Sequence, residues 1–264
     1  MPPIRSANIN VMDQAARKAA RHLIRDFGEV EQLQVSIKGP GDFVSAADRK
    51  AEKILRDELT RARPNFGFLL EESGEIPSKD GHRWIIDPLD GTTNFLHGIP
   101  HFSVSIALEW HGDIIAGLVY DPLKDETFVA EKGAGSFLND RRLRVSKRNA
   151  LDRSMIGTGI PVLDWPGRKK GFAQQLDRVA DKVAGVRRLG TASLDLAYVA
   201  AGRFDGFWEY GLKPWDIAAG LIIVAEAGGL VSHLEGEQHW SDTGTIVAAN
   251  ADIHPQLVEL LRVS

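Results

Sequence analysis

The residues best suited to chemistry lie in Asp87-Pro88-Leu89-Asp90-Gly91-Thr92-Thr93-Asn94-Phe95, directly after the apolar run Trp84-Ile85-Ile86. Asp87 and Asp90 stand three residues apart across a proline. Hard divalent cations bind carboxylate and carbonyl oxygens. A turn that offers Asp87, the Leu89 carbonyl and Asp90 could therefore hold two such ions side by side. The Gly91-Thr92-Thr93 backbone that follows could receive a phosphate.

Three more acidic clusters join this one. They are Asp42-Phe43-Val44-Ser45-Ala46-Ala47-Asp48, just after Lys38-Gly39-Pro40-Gly41; Glu71-Glu72-Ser73, after the apolar Phe66 to Leu70; and Trp215-Asp216, at the head of an apolar segment. Each has an ordinary structural explanation when taken singly. Asp48 or Ser45 can cap a helix, and Glu71-Glu72 can be a solvated loop. Asp87 before proline and Asp90 before glycine are common turn chemistry. Asp216 suits a first helical turn, where the macrodipole favours negative charge.

Taken together, the clusters point elsewhere. Three of the four abut strongly apolar segments, where an unpaired carboxylate is costly to bury. A shared cation removes that cost. With no cysteine, and with the His-x-x-x-His pair His97 and His101 read as packing residues, oxygen-only ligands indicate magnesium or manganese and not zinc. In a two-metal site the ions lower the pKa of a water, stabilise the leaving oxygen and neutralise the phosphate. Phosphoryl transfer needs mainly positioning and charge stabilisation. Thr92 and Asp48 could orient or deprotonate the water, and no covalent nucleophile is required.

The bulk composition agrees with a soluble enzyme and excludes other classes. The chain has 264 residues, 43% hydrophobic and 26% charged, with a net charge of -4. That balance gives no electrostatic footprint for nucleic acid. The basic pairs Arg141-Arg142, Lys169-Lys170 and Arg187-Arg188 read as solvated surface. The absence of cysteine rules out disulfides and thiolate catalysis. Met1-Pro2-Pro3-Ile4-Arg5 has no hydrophobic signal core and no apolar run is long enough to span a bilayer, so a cytoplasmic protein is expected.

Positioning these residues requires an irregular series of elements. Val11, Ala15, Ala19, Leu23 and Phe27 recur at helical spacing and stop at Gly28; Ala46 to Arg63 reads as a second helix. Arg83 to Ile86 reads as a buried strand. Phe102 to Leu108, Ile114 to Tyr120 and Glu126 to Glu131 form an antiparallel meander with a turn at His111-Gly112-Asp113. In the second half, strands are expected at Met155 to Thr158, Asp205 to Tyr210 and Thr245 to Ala249. Helices are expected at Gly171 to Val183, Ser193 to Ala201, Pro214 to Ala227 and His254 to Val263. Helices and antiparallel strands alternate irregularly in both halves, which indicates an α+β layered sandwich with two lobes facing a shared cleft. The apolar Phe102 to Leu108 element could also pair across subunits.

Asp87 to Phe95, together with Trp215-Asp216-Ile217-Ala218-Ala219-Gly220 through Glu226-Ala227-Gly228-Gly229, resembles the two signatures of the inositol monophosphatase family. The Asp42 to Asp48 segment and Glu71-Glu72-Ser73 match two further elements in the right order, so the resemblance covers essentially the whole chain. It implies a five-layer αβαβα sandwich of the inositol monophosphatase and fructose bisphosphatase type: one domain over residues 1–264, with lobes of approximately 1–150 and 151–264. It implies that Glu71, Asp87 and the Leu89 carbonyl hold a first Mg²⁺, that Asp87, Asp90 and Asp216 hold a second, and that a third, looser ion leans on Glu71, with Mn²⁺ as a possible substitute. Leu89, Asp90, Gly91 and Thr92 would contact the phosphate, with Glu71 and Asp216 beside it. Asp48, Thr92 and Glu71 would serve the attacking water, with Lys38 as an accessory residue. Gly190-Thr191-Ala192 and Glu209 match the stretch that meets inositol hydroxyls. A homodimer and lithium inhibition are implied as well. Leu70 departs from the family pattern, standing where a glycine usually precedes the glutamate pair, and Gly211-Leu212-Lys213-Pro214-Trp215-Asp216 looks like the bacterial branch.

Selectivity must reside in the second half, because the Asp87–Asp90 core handles only the phosphate. Relatives in the superfamily act on fructose bisphosphate, NADP or adenosine bisphosphate. Phe207-Trp208-Glu209-Tyr210-Gly211 places an acidic acceptor where a polyol hydroxyl could donate, which favours inositol 1-phosphate. His97 and His101 are expected to pack beside the cleft and not to bind metal, and Trp84 and Trp215 to brace the ligands next to them. Some bacterial members also bind the transcription machinery, so an interaction role is carried as a second function. Membrane partners and direct nucleic-acid contacts are not expected.

Overall fold

Small apolar residues spaced along one face make the first helix, α1 (Ala7–Phe27), which buries Met12, Ala15, Ala19 and Leu23. Ser6 caps it by accepting a hydrogen bond from the Ile9 amide at 3.2 Å, and Gly28 ends it. The computed structural model describes residues 5–29, 35–39, 42–161, 168–234 and 245–262. Met1 to Ile4, Pro40, Gly41 and Val263, which figure in segments singled out above, lie outside the described residues. Strands β1 (Val35–Gly39) and β2 (Asp42–Ser45) pair as an antiparallel ribbon leading into α2 (Ala46–Ala62). Ala51, Leu55 and Leu59 of α2 are buried in the same apolar cluster as the inner face of α1.

An eight-stranded mixed sheet follows, built from β3 (Gly67–Leu70), β4 (Gly74–Ile76), β5 (His82–Asp90), β6 (Ser103–Trp110), β7 (Asp113–Asp121), β8 (Glu126–Glu131), β9 (Gly135–Leu138) and β10 (Arg141–Arg142). A short helix, α3 (Thr92–Leu96), lies between β5 and β6. The strand order is β10-β9-β8-β7-β6-β5-β3-β4.

The remaining elements are β11 (Met155–Thr158), α4 (Arg168–Ala180), β12 (Gly185–Arg187), α5 (Ala192–Ala200), β13 (Gly206–Tyr210), α6 (Pro214–Glu226), β14 (Leu230–Ser232), β15 (Thr245–Ala249) and α7 (Ile253–Leu261). Their five strands form a second sheet in the order β12-β11-β13-β15-β14.

Layering follows from which helices are apolar all round. Every residue of α5 is buried, and α6 buries Ile217, Ala218, Ile222, Ile223 and Val224. These two helices pack on each other and fill the space between the sheets, α6 against β5 to β8 and α5 against β13 and β15. Helices α1 and α2 cover the other face of the large sheet, while α4 and α7 cover the outer face of the small one through Phe172, Val179, Leu257 and Leu261. The result is the expected five-layer αβαβα sandwich.

Three expectations are corrected. The strand predicted to stop at Ile86 runs on through Pro88 to Asp90. Its register against β6 passes from Asp87↔Ser105 to Asp90↔Ser103, three steps on one strand against two on the other. That extra residue is a bulge, where a proline forfeits no ladder bond. Secondly, the sheets are mixed and not antiparallel: β3 pairs parallel to β5, and β11 parallel to both β12 and β13. In the small sheet the parallel pairs arise because helical crossovers through α4 and α5 connect the strands; in the large sheet β4 runs antiparallel on one side of β3 and the chain returns to place β5 on the other. Thirdly, β6, which contains most of Phe102 to Leu108, has β5 on one side and β7 on the other. With both of its edges paired, it cannot join a strand of another subunit.

Candidate active site

The bulge in β5 makes the site possible. Residues three apart in a regular strand point to opposite faces, so Asp87 and Asp90 would be separated by the sheet. One added residue restores the parity, and both carboxylates line one cleft with the Leu89 backbone between them. Parallel pairing of Leu70 with Ile86 brings Glu71 alongside, and the Glu71 amide donates to the Ile86 carbonyl at 3.4 Å. Asp216 reaches the same cleft from the first turn of α6, where it also accepts the Lys213 amide at 2.6 Å. Gly91, Thr92 and Gly190 complete the predicted residues found on this cleft.

These acids strain one another. Burial pushes Asp87 well above the ordinary carboxylate range, and Glu71, Asp90, Asp216 and Asp48 push it further. Asp216 is raised by burial and then by Asp90. Burial lifts Asp90 to about 6, although hydrogen bonds from Ser193 and from the amides of Ala192 and Gly91 work in the opposite direction. A buried group of mutually repelling oxygen donors is what a hard dication relieves, so the donor chemistry fits such an ion. Among the described residues no three His, Asp or Glu side chains are drawn together into a finished coordination shell.

The phosphate side of the cleft is shaped by Gly91, which has φ +95°. A Cβ there would stand 2.6 Å from Thr191 Oγ1 and 3.1 Å from the His101 carbonyl, so glycine is required by both conformation and space. The Leu89 amide donates to Asp87 Oδ1 at 2.9 Å, and Thr92 Oγ1 donates to the Leu89 carbonyl at 2.9 Å. The Leu89 oxygen keeps a second lone pair for a cation. Thr92, its proton committed, can still accept a hydrogen bond from a water. Asp48 lies buried in the first turn of α2, behind Asp87. Lys38 stands on β1, and its side chain lies outside the described part of the structure.

The second half of the chain contributes Gly190, while Thr191 and Ala192 sit just behind the rim as the lead into α5. Asn94 links the two halves of the chain: its amide group donates to the His101 carbonyl at 2.9 Å and to the Leu189 carbonyl at 2.8 Å. Asp90 Oδ2 accepts from the Ser193 amide at 2.8 Å and from the Ser193 hydroxyl at 2.6 Å. Glu209 projects from β13 toward Gly159, whose missing side chain makes the space its carboxyl occupies. Burial, aided by Asp90 and opposed by Arg188, raises Glu209 to about 8.

Of the two histidines, His101 packs and His97 is exposed. His101 packs its ring edge-on against Tyr198, 6.0 Å between centroids, and burial lowers its pKa to about 4. Neither His97 nor His101 lines the cleft. Trp84 is fully buried in the cluster with α1 and α2, on the face of β5 opposite Asp87, and the Trp215 carbonyl accepts from Ser105 Oγ at 3.3 Å.

Several residues of the site escape sequence reasoning. Arg188 reads as half of a surface basic pair, yet it lines the cleft beside Gly190. Glu52 accepts from the Glu72 amide at 2.8 Å and from the Ser73 hydroxyl, fixing the turn that carries Glu71. Its spacing of four from Asp48 on one helix face is a signal that was available. Asp195 is buried with both carboxyl oxygens unpartnered, and burial together with Glu209 and Asp90 raises its pKa. Ser193 lies next to the Gly190-Thr191-Ala192 match but carries no mark of its own in the sequence.

A five-layer sandwich with a buried acidic cleft at the junction of its sheets defines a phosphatase of the generally metal-dependent kind. The chain belongs to the inositol monophosphatase family, whose profile matches residues 6–264. It is 58% identical to "Inositol-1-monophosphatase" of Mesorhizobium japonicum, over 98% of this chain and 97% of the relative. It is 47% identical to "Putative Nus factor SuhB" of Neisseria meningitidis serogroup B, over 96% of this chain and 97% of the relative. The crystal structure of extragenic suppressor protein suhB from Bartonella henselae superposes with a TM-score of 0.94 at 57% identity, covering 97% of this chain and 99% of that one.

Proposed function

We propose that the chain hydrolyses a phosphomonoester, with myo-inositol 1-phosphate as substrate and Mg²⁺ as working ion, two to three per subunit, and Mn²⁺ as a substitute. The observation that carries this reading is the set of carboxyls in one cleft, Glu71, Asp87, Asp90 and Asp216, of which Asp87 and Asp216 are pushed up by burial and by their acidic neighbours. Glu71, Asp87 and the Leu89 carbonyl hold one ion; Asp87, Asp90 and Asp216 hold the second; a third leans on Glu71. When bound, these ions supply charge neutralisation and acidify water.

The chain's own residues do the rest. Thr92 Oγ accepts a hydrogen bond from the attacking water, and Asp48, acting with Glu71, draws its proton away. The amide of Thr92, at the start of α3 where helical partners are lacking, orients a phosphate oxygen, joined by the Gly91 amide as it turns from Asp90 to the phosphate. The water oxygen bonds to phosphorus, the ester bond breaks, and the leaving alkoxide takes its proton from solvent water. Gly190, Thr191, Ala192 and Glu209 receive the polyol. The same reading takes the chain as a homodimer in the cytoplasm, inhibited by lithium, with lobes of approximately 1–150 and 151–264.

The deciding experiment assays purified protein with Mg²⁺ or Mn²⁺ on inositol phosphates, fructose bisphosphate, NADP and adenosine bisphosphate side by side. Preference for inositol 1-phosphate is expected. No phosphate release from any ester overturns the enzyme reading, and preference for a nucleotide or fructose bisphosphate moves the substrate within the superfamily. The relatives named as Nus factors favour an added role in contacting the transcription machinery. A pull-down that survives Asp90→Asn supports it, whereas complete loss of cellular phenotype with that same change leaves catalysis as the sole role.

A further inference from the structure

Asp90 is gripped from the opposite lobe. Its Oδ2 takes two hydrogen bonds from one residue, the Ser193 amide at 2.8 Å and the Ser193 hydroxyl at 2.6 Å. Behind Ser193 stands Ser103, hydroxyl to hydroxyl at 2.8 Å, both side chains fully buried. Ser103 lies on β6 directly across from Asp90. A hydroxyl has one proton to give. A carboxylate can only accept, so the Ser193 proton is committed to Asp90. The 2.8 Å contact therefore carries the proton of Ser103 to Ser193. The polar chain runs one way, from Ser103 to Ser193 to Asp90.

Two donors occupy both lone-pair positions of Oδ2. With Oδ2 so filled, and the amides of Ala192 and Gly91 also donating to this carboxyl, Asp90 faces a cation through Oδ1. We propose that Ser193 is a positioning residue: it rotates the Asp90 carboxyl about its last torsion and holds Oδ1 toward Asp87 and Asp216, making Asp90 a single-oxygen ligand. Because Ser193 belongs to the first turn of α5, directly after the Gly190-Thr191-Ala192 segment, that segment and the second cation are held in fixed relation by one side chain. This inference rests on the metal-dependent reading above. Outer-sphere partners of this kind typically govern metal affinity by roughly ten- to hundredfold.

The test is calorimetric titration of the full chain with Mn²⁺, without substrate, in the wild type, Ser193→Ala, Ser193→Thr, Asp90→Asn and the Ser193→Ala/Asp90→Asn double variant. Circular dichroism confirms that each variant is folded. The expected result is a weaker second Mn²⁺ site in Ser193→Ala, by roughly ten- to hundredfold, largely restored in Ser193→Thr. Ser193→Ala should weaken binding no further once Asp90 is already Asn, since the serine acts through that carboxylate. Wild-type Mn²⁺ affinity in Ser193→Ala, or an equal loss in both backgrounds, overturns the proposal and leaves Ser193 as a packing residue. A wild type that binds no Mn²⁺ overturns the metal-dependent reading itself.

Discussion

The carboxyl of Glu209 occupies the space a side chain at Gly159 would fill. The parallel pairing of Thr158 with Trp208 sets the two residues side by side at the ends of β11 and β13, and the nearest atoms to a Cβ at Gly159 all belong to the Glu209 carboxyl. Gly159→Ala should therefore displace Glu209 while leaving the backbone alone. The expected outcome is a raised KM for inositol 1-phosphate, with turnover of a small aryl phosphate close to wild type. Equal effects on both substrates would show that Glu209 does not read the polyol.

Glu209 also predicts a pH dependence of stability. Its pKa is raised on folding, to about 8 from an ordinary 4.5, so the folded chain holds the proton where the unfolded chain has lost it. Its contribution to stability is complete below the unfolded value and is lost as pH rises toward about 8. Asp90, raised to about 6, acts in the same direction over a lower window. In chelator, the Tm should fall from about pH 5 to about pH 8, and Glu209→Gln should flatten the upper part of that fall. A Tm that climbs through this window would contradict the burial of these groups.

Asp90→Asn and Asp216→Asn should each lower kcat by about 10²-fold or more, the scale of losing a group that organises transition-state charge. Each removes charge from a crowded acidic cleft, so thermal melts in chelator should show no loss of stability. An active variant would remove that residue from the proposed ligand set.

Glu52 gives a separate lever on Glu71. Glu52→Ala leaves the Glu72 amide and the Ser73 hydroxyl without their acceptor, a cost of about 1–3 kcal/mol. Denaturant titration should detect that loss. The Mg²⁺ concentration for half-maximal activity should rise, and less so in Glu52→Gln, which keeps an acceptor oxygen. Unchanged Mg²⁺ dependence in a destabilised Ala variant would limit Glu52 to a structural part.

The residues that carry charge for chemistry were legible because their neighbours betray them. Asp87 and Asp90 follow a strand too apolar for ordinary turn acids, and Asp216 precedes a helix too apolar for a surface cap. The helices were legible from their spacing, with ends shifted by a few residues. What could not be read was pairing. The bulge at Pro88 is a relation between β5 and β6, and the parallel sheets depend on short strands such as β12 with no periodicity to detect. Arg188, Ser193 and Asp195 take their meaning from partners in other elements, so nothing adjacent in the chain marks them. Phe102 to Leu108 misled because an apolar alternating run looks alike whether it lies at an edge or in the middle of a sheet.

The grip of Ser193 on Asp90 spans 103 residues of chain, and the fourth carboxylate of the cleft lies later still, at the head of α6. The second sheet cannot close before β15 arrives, because β15 stands between β13 and β14. During synthesis the hydrolytic turn emerges early and waits, complete in sequence but inert. The cleft is complete only once Ser193, Asp216 and β15 have emerged and docked, so phosphate release by a newly made chain also reports that its two sheets have come together.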